Sequence, residues 1–213
     1  WHRARNEGSF DLLIDDLGHG GLEVECKSIS ENKGRRIHRL AALEFWGAVW
    51  KDIESLAQNL HTGLAVVLTV PHRLPDDAEG VATLARNVTA QILAGRSSTF
   101  GGGADIRMQT FDPTRIEAAK EISRDEIRRA IDLATGTTNR EAVVYGTPAG
   151  GMLAFVMQSA LDDKVLSEVF ATLNDSAARQ FTGNRGALFW VALQGLDTQQ
   201  LLSLHAQDSD ATS

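Results

Sequence analysis

Apolar and polar positions along this chain fall into stretches of different period, and the period names the element. Residues 9–15 and 21–28 are short β-type runs on either side of Asp16, Leu17, Gly18, His19 and Gly20, which predicts a hairpin with a loop of about five residues. From residue 35 to 60 an apolar position recurs every three or four residues, at Leu40, Leu43, Trp46, Trp50, Ile53, Ala57 and Leu60, the stripe of one helix face. Gly34 stands ahead of it as a start signal. Residues 63–70 are continuously apolar, rich in valine and closed by Pro71, as expected of a strand buried on both faces in the middle of a sheet. A second helix is predicted over 76–94 through Val81, Leu84, Val88 and Ile92, and the Gly- and Ser-rich residues 95–103 read as a linker or mobile loop.

Further on, residues 104–111 read as a strand, and Asp112 with Pro113 opens one or two short helices over 113–135. Residues 141–147 and 152–159 form a predicted hairpin around Pro148, Gly150 and Gly151. A helix over 163–180, a strand over 187–194 and a last helix from Asp197 to near His205 complete the chain. Strands alternating with helices give the α/β class, with a mixed central sheet flanked by helices. The βαββαβ order of the second half is ferredoxin-like, compatible with a separate unit or with an extension of the first sheet. We divide the chain into a core at 1–100 and an α+β extension at 101–213.

Composition narrows the class. With 43% hydrophobic and 23% charged residues over 213 positions the chain is globular, and it is large enough to hold a core without metal or disulfide. Any metal it binds is therefore expected to serve chemistry. No apolar stretch nears the ~20 residues needed to cross a bilayer, so no membrane partner is expected. The single cysteine, Cys26, fits a reducing, cytoplasmic setting and is expected to be a small buried hydrophobe. The net charge of −7 counts against a surface coated in cations. It is unevenly spread, however: residues 1–51 hold eight acids and eight bases, so the excess of acid belongs to 52–213.

Candidate chemistry gathers in that balanced first part. Glu23, Glu25 and Lys27 alternate with Val24 and Cys26 on a predicted strand, so the three charges share one face at about 6.6 Å spacing. Asp11 interrupts the apolar strand before it, and the hairpin can return the chain so that Asp11 lies beside Glu25. Two carboxylates and a lysine on adjacent strands make a hard, oxygen-rich site for Mg²⁺ with a cation beside it. The plain alternative is a solvated face with one weak ion pair. Asp15 rivals Asp11 but falls at the turn, where an exposed aspartate is ordinary.

The string Gly8-Ser9-Phe10-Asp11-Leu12-Leu13-Ile14, followed fourteen residues after Asp11 by Glu25-Cys26-Lys27, resembles the PD-(D/E)xK, restriction-endonuclease-like nuclease superfamily. The resemblance covers roughly the first 70 residues, with the predicted hairpin, the helix at 35–60 and the strand at 63–70 in the family's order. It implies a restriction-endonuclease-like core in which Asp11 and Glu25 ligate Mg²⁺, or Mn²⁺ in its place, with the Cys26 carbonyl as a further ligand. Lys27 would position the attacking water and stabilise phosphate charge. The family carries a helix and a strand ahead of the aspartate, where this chain has only residues 1–8, so a preceding segment is expected to have been cut away. The family's proline is absent, and Glu7 is a candidate extra carboxylate or a solvated loop residue.

Lys33, Arg35, Arg36 and Arg39 join Lys27 against the one acid Glu31 over residues 27–39, a local excess of four positive charges suited to backbone phosphates. His38 could add a phosphate or proton contact, and the alternative for the cluster is an ordinary solvated helix start. Trp46 and Trp50 share an apolar stripe and are expected to pack in the core, not to stack on bases. Arg185 is indistinguishable from a loop arginine. No P-loop, HExxH, CxxC or G-x-S-x-G motif is present, and no histidine pair has helical zinc spacing. The leading expectation is a Mg²⁺-dependent nuclease acting on DNA, with RNA as the other substrate and a homodimer compatible with it. The alternatives are a catalytically inactive module of the same fold binding nucleic acid or protein, and a structural α/β domain whose hairpin charges are coincidental.

Overall fold

The computed structural model describes residues 10–17, 20–30, 32–112, 129, 131, 140–194 and 202. Its strands are β1 (Leu12–Ile14), β2 (Leu22–Ser30), β3 (Gly63–Val70), β4 (Ser98–Phe100), β5 (Ala104–Phe111), β6 (Arg140–Gly146), β7 (Met152–Ser159) and β8 (Gly186–Gln194). The described helices are α1 (Arg39–Gln58), α2 (Ala78–Ala94) and α3 (Val165–Gln180). The chain is α/β, as expected, but it builds two mixed sheets, one of three strands and one of five, where a single central sheet was expected. Among the described residues no helix is long and apolar enough to cross a membrane.

The chain divides into two compact units, one from the described residues up to Arg35 together with those from Lys164 onward, the other spanning Arg36–Asp163. In the first, β2 lies between β1, antiparallel with Leu12 opposite Val24, and β8, parallel from Leu22 opposite Gly186 to Ser30 opposite Gln194. α3 gives this unit its own small core by placing Val165 and Val169, with Leu166 and Leu173, against Ile29, Val191 and Leu193. Alternation along β2 and β8 therefore defines an inner face carrying Glu23, Glu25, Lys27 and Ile29.

In the second unit the strand order is β4-β5-β3-β7-β6. The continuous apolar run at 63–70 sits at the centre, between antiparallel β5 and parallel β7, where both faces are covered. Phe45, Val49 and Ile53 of α1 and Val88 of α2 close on Val66, Leu68, Ile106, Leu153 and Phe155, all at most 1% exposed. Trp46 and Trp50 pack with Phe155 and Tyr145 at ring separations of 5.2 and 4.6 Å, so both tryptophans are packing residues. α2 starts on Asp77, whose carboxylate accepts the Gly80 N–H at 2.7 Å, and ends on Gly95 at φ +63.

Several expectations change. The buried row of α1 is Ala42, Phe45, Val49, Ile53 and Ala57, while Leu40 and Leu43 are 67% and 48% exposed. Two apolar rows lie side by side on this helix, and the sheet selects between them. Residues 95–103 are not a linker: Ser98–Phe100 pair with β5, and Ser97 Oγ accepts the Met108 N–H at 2.9 Å. The division expected between residues 100 and 101 falls inside that hairpin, where Phe100 faces Ala104. The helix at 35–60 and the strand at 63–70 do not follow the first hairpin into its sheet, since β3 has β5 and β7 as neighbours and β2 has β1 and β8. The helices expected over 113–135 and from Asp197 lie outside the described residues.

Where the chain passes from one unit to the other, each unit closes on itself. Lys164 N–H donates to the Gly34 carbonyl at 2.8 Å, and within the other unit the Asp163 carboxylate accepts the Arg36 N–H at 2.6 Å. Gly34 holds φ +78, and a Cβ there would lie 2.6 Å from the Lys164 carbonyl oxygen. Gly34→Ala is expected to cost about 2 kcal/mol or more. Gly47, in α1 with open space around it, should gain about 0.5–1 kcal/mol on replacement by alanine. Urea unfolding of both variants measures this opposition of sign.

Candidate functional site

β1 and β2 pair as Leu12 with Val24 and Leu13 with Glu23, and Asp11 is the residue just before the paired stretch of β1, as Glu25 is the residue just after Val24 on β2. Two contacts hold Asp11 against β2: Asp11 N–H donates to the Val24 carbonyl at 3.1 Å, and the Asp11 carboxylate accepts the Cys26 N–H at 2.8 Å. Asp11 is exposed. Main-chain carbonyls two residues apart on a strand point the same way, so the Cys26 carbonyl shares the β1 side of β2 with the Val24 carbonyl. Asp15, four residues on, is exposed at the turn and is not the residue opposite Glu25.

Glu25 is 3% exposed and Glu23 is fully buried, so the charged face of β2 is the inner face, not a solvated one. Lys27 Nζ lies 2.8 Å from Glu25 Oε1. Glu25 Oε2 is buried with no hydrogen-bond partner among the described residues. An ionised carboxylate oxygen in that position is costly unless a proton or a cation meets it. The structure thus pairs Lys27 with Glu25 and bonds Asp11 to the neighbouring residues Val24 and Cys26 of the same strand.

Glu23, read from sequence only as a third charge on this face, is an anchor. Its carboxylate accepts the Thr182 N–H at 2.9 Å and the Thr182 hydroxyl at 2.5 Å, and Arg185 Nη1 stands 3.8 Å from it. These contacts tie β2 to the turn between α3 and β8, where Phe181 also packs on Phe189 at 4.9 Å. The spacing of Glu23 was visible in the sequence, but a partner about 160 residues away was not. Arg185 gains its distinction the same way.

Cys26 is exposed, contrary to expectation. Alternation turns it onto the outer face of the sheet with Ser28 and Ser30, which are also exposed. The expected phosphate-binding cluster is divided between the two units. Lys33 and Arg39 are exposed, Arg35 is only 3% exposed, and Arg36 Nε donates to the Asp162 carbonyl at 3.1 Å. His38 is half-buried at the start of α1, with its carbonyl accepting the Ala42 N–H. Arg36, His38 and Arg73 line a groove of the second unit that also holds Glu44, Asp76 and Asp77, a balance of charge that does not single out a polyanion. Glu7 lies outside the described residues.

Replacing Glu23 with alanine removes both acceptors of Thr182 and leaves its N–H unpaired, and is expected to destabilise the fold by about 3–5 kcal/mol. Cys26→Ser, at an exposed strand position, should stay within about 0.5 kcal/mol of the parent in the same denaturant titration. Comparison with protein-family models, curated proteins and solved structures finds no match for this chain.

Proposed function

We propose that this protein is a metal-dependent nuclease that hydrolyses phosphodiester bonds of DNA at the Asp11, Glu25 and Lys27 site. One observation carries the reading: the buried Glu25 leaves an oxygen unpartnered among the described residues, and the N–H of the next residue, Cys26, holds the Asp11 carboxylate against the same strand. Both donors are hard oxygens, which suits Mg²⁺ or Mn²⁺. Among the described residues no group of three or more His, Cys, Asp or Glu side chains converges. That donor count still fits Mg²⁺, which commonly takes one or two carboxylates and fills its shell with water and substrate oxygen. Asp11, Glu25 and the Cys26 carbonyl would hold the ion.

When bound, the ion supplies positive charge that offsets a phosphate and favours ionisation of water. The chain's own groups do the rest. The Cys26 N–H fixes the Asp11 carboxylate toward β2. Lys27, paired with Glu25, presents N–H donors where water and a phosphate oxygen would sit, and its charge favours the negative charge that develops there. The buried Glu23 and Thr182 bonds hold the strand that carries these groups.

The helix at 35–60 and the strand at 63–70, on which the resemblance drew, belong to the other unit, and a later helix and strand stand after the hairpin in its own unit. In the family that the sequence resembles, hairpin is followed by helix and then strand. The hairpin's own sheet here continues with α3 and with β8 parallel to β2, while Arg36–Asp163 forms a separate unit between them in sequence. The exposed Cys26, the only cysteine, suits a reducing compartment.

Incubation of supercoiled plasmid and of single-stranded DNA with the protein and Mg²⁺ or Mn²⁺ tests the reading. Asp11→Ala, Glu25→Ala and Lys27→Ala should each lower cleavage by about a hundred- to a thousandfold. Mg²⁺ should raise the Tm of the parent and not that of Glu25→Ala. Cleavage that survives all three substitutions would sink the assignment. DNA binding without cleavage would instead support an inactive module on the same fold.

A further inference from the structure

Four strand edges bound the two sheets among the described residues, and three are guarded. β1 and β4 are three residues long, and β6 carries Arg140 and Glu141 at its start. The fourth is β8. It runs nine residues, Gly-Ala-Leu-Phe-Trp-Val-Ala-Leu-Gln, with no charge and no proline, and no strand among the described residues pairs with its outer edge. Leu188 is 44% and Trp190 69% exposed. A long, apolar, unguarded edge presents a row of unpaired N–H and C=O groups that only another extended backbone satisfies in full.

We propose that β8 is the dimer interface of this protein, pairing antiparallel with β8 of a second copy about a two-fold axis at Trp190. The strand is complementary to itself in that register. With Trp190 facing its counterpart, all nine residues find partners: Gly186 meets Gln194, Ala187 meets Leu193, Leu188 meets Ala192, and Phe189 meets Val191 of the second copy. Every pair apart from the tryptophans sets a smaller side chain against a larger one, and none brings like charges together. The contact would extend about 30 Å.

Closure favours a copy of this chain as the occupant. A two-fold pairing uses both β8 edges at once and joins the three-stranded sheets into one of six, in the order β1-β2-β8-β8-β2-β1. Its remaining edges are the three-residue β1 strands, which offer little to a further chain. The interface stands independently of the nuclease reading, because it uses no residue of the Asp11, Glu25 and Lys27 site.

Sedimentation equilibrium on the full chain from about 1 to 100 μM tests it. The parent should be a dimer, and Trp190→Lys, which sets two lysines across the axis, should weaken association about a hundredfold. Leu188→Lys/Ala192→Lys should do the same, whereas Leu188→Lys/Ala192→Glu should remain within about tenfold of the parent. Within one chain these two positions are about 13 Å apart, so the sign of the second charge matters only across the interface. All three positions are exposed, and far-UV circular dichroism checks that each variant folds. A parent that stays monomeric throughout, with β8 bare or covered by its own chain, overturns the proposal. So does a dimer mass that Trp190→Lys leaves unchanged, or equal association of the two charge pairs.

Discussion

A carboxylate carried into a protein interior must find donors or a cation there, because the lost hydration is worth several kcal/mol. β2 carries two such groups two residues apart on its inner face, Glu23 and Glu25, and much of the first unit is arranged around them. Glu23 is met by the turn that follows α3, which fixes how that helix ends and where β8 begins. Glu25 is met at one oxygen by Lys27, and its other oxygen is buried with no hydrogen-bond partner among the described residues. The two glutamates look alike in sequence. Their surroundings divide them into one whose carboxylate is tied to Thr182 and one that keeps an oxygen unpartnered among the described residues.

A second unit stands between β2 and α3 in sequence, and Thr182, Arg185 and Lys27, which meet Glu23 and Glu25, lie outside it. The groups that compensate Glu23 arrive after residue 180, and the cation beside Glu25, Lys27, comes from β2 itself. Arg36–Asp163 contributes its own helices and its own five-stranded sheet, and the chain leaves and re-enters the first unit at Gly34 and Lys164, whose main-chain groups are hydrogen-bonded to each other. A long insertion closed at its base in this way costs the host little entropy, since loop closure grows only logarithmically with length.

Local pattern located nearly every described element. The valine-rich run at 63–70 is β3 to the residue, and the pairing of Asp11 with the Glu25 strand followed from a hairpin whose turn residues are explicit in the chain. Where pattern misled, the reason was long-range. Periodicity gave α1 two adjacent apolar rows, and only the sheet beneath it decided that Phe45 and Val49 are buried while Leu40 and Leu43 are not. Glycine and serine at 95–103 suggested a flexible connection, but three of those residues had β5 available as a partner. Arg35 and Arg36 contribute to a basic cluster in sequence, yet the first is buried and the second is held by Asp162 and Asp163.

The sequence by itself determined the class of the fold, the hairpin, and the three residue types on it that can do chemistry, because these depend on contacts within some twenty residues. Tertiary structure alone decided which strand neighbours which. A strand's outer edge accepts any extended partner with a compatible face, and nothing in residues 21–30 says that the partner comes from Gly186–Gln194 and not from Gly63–Val70. It also decided burial. Whether Glu23 faces water or the interior depends on Thr182 and Arg185, which follow it by about 160 residues.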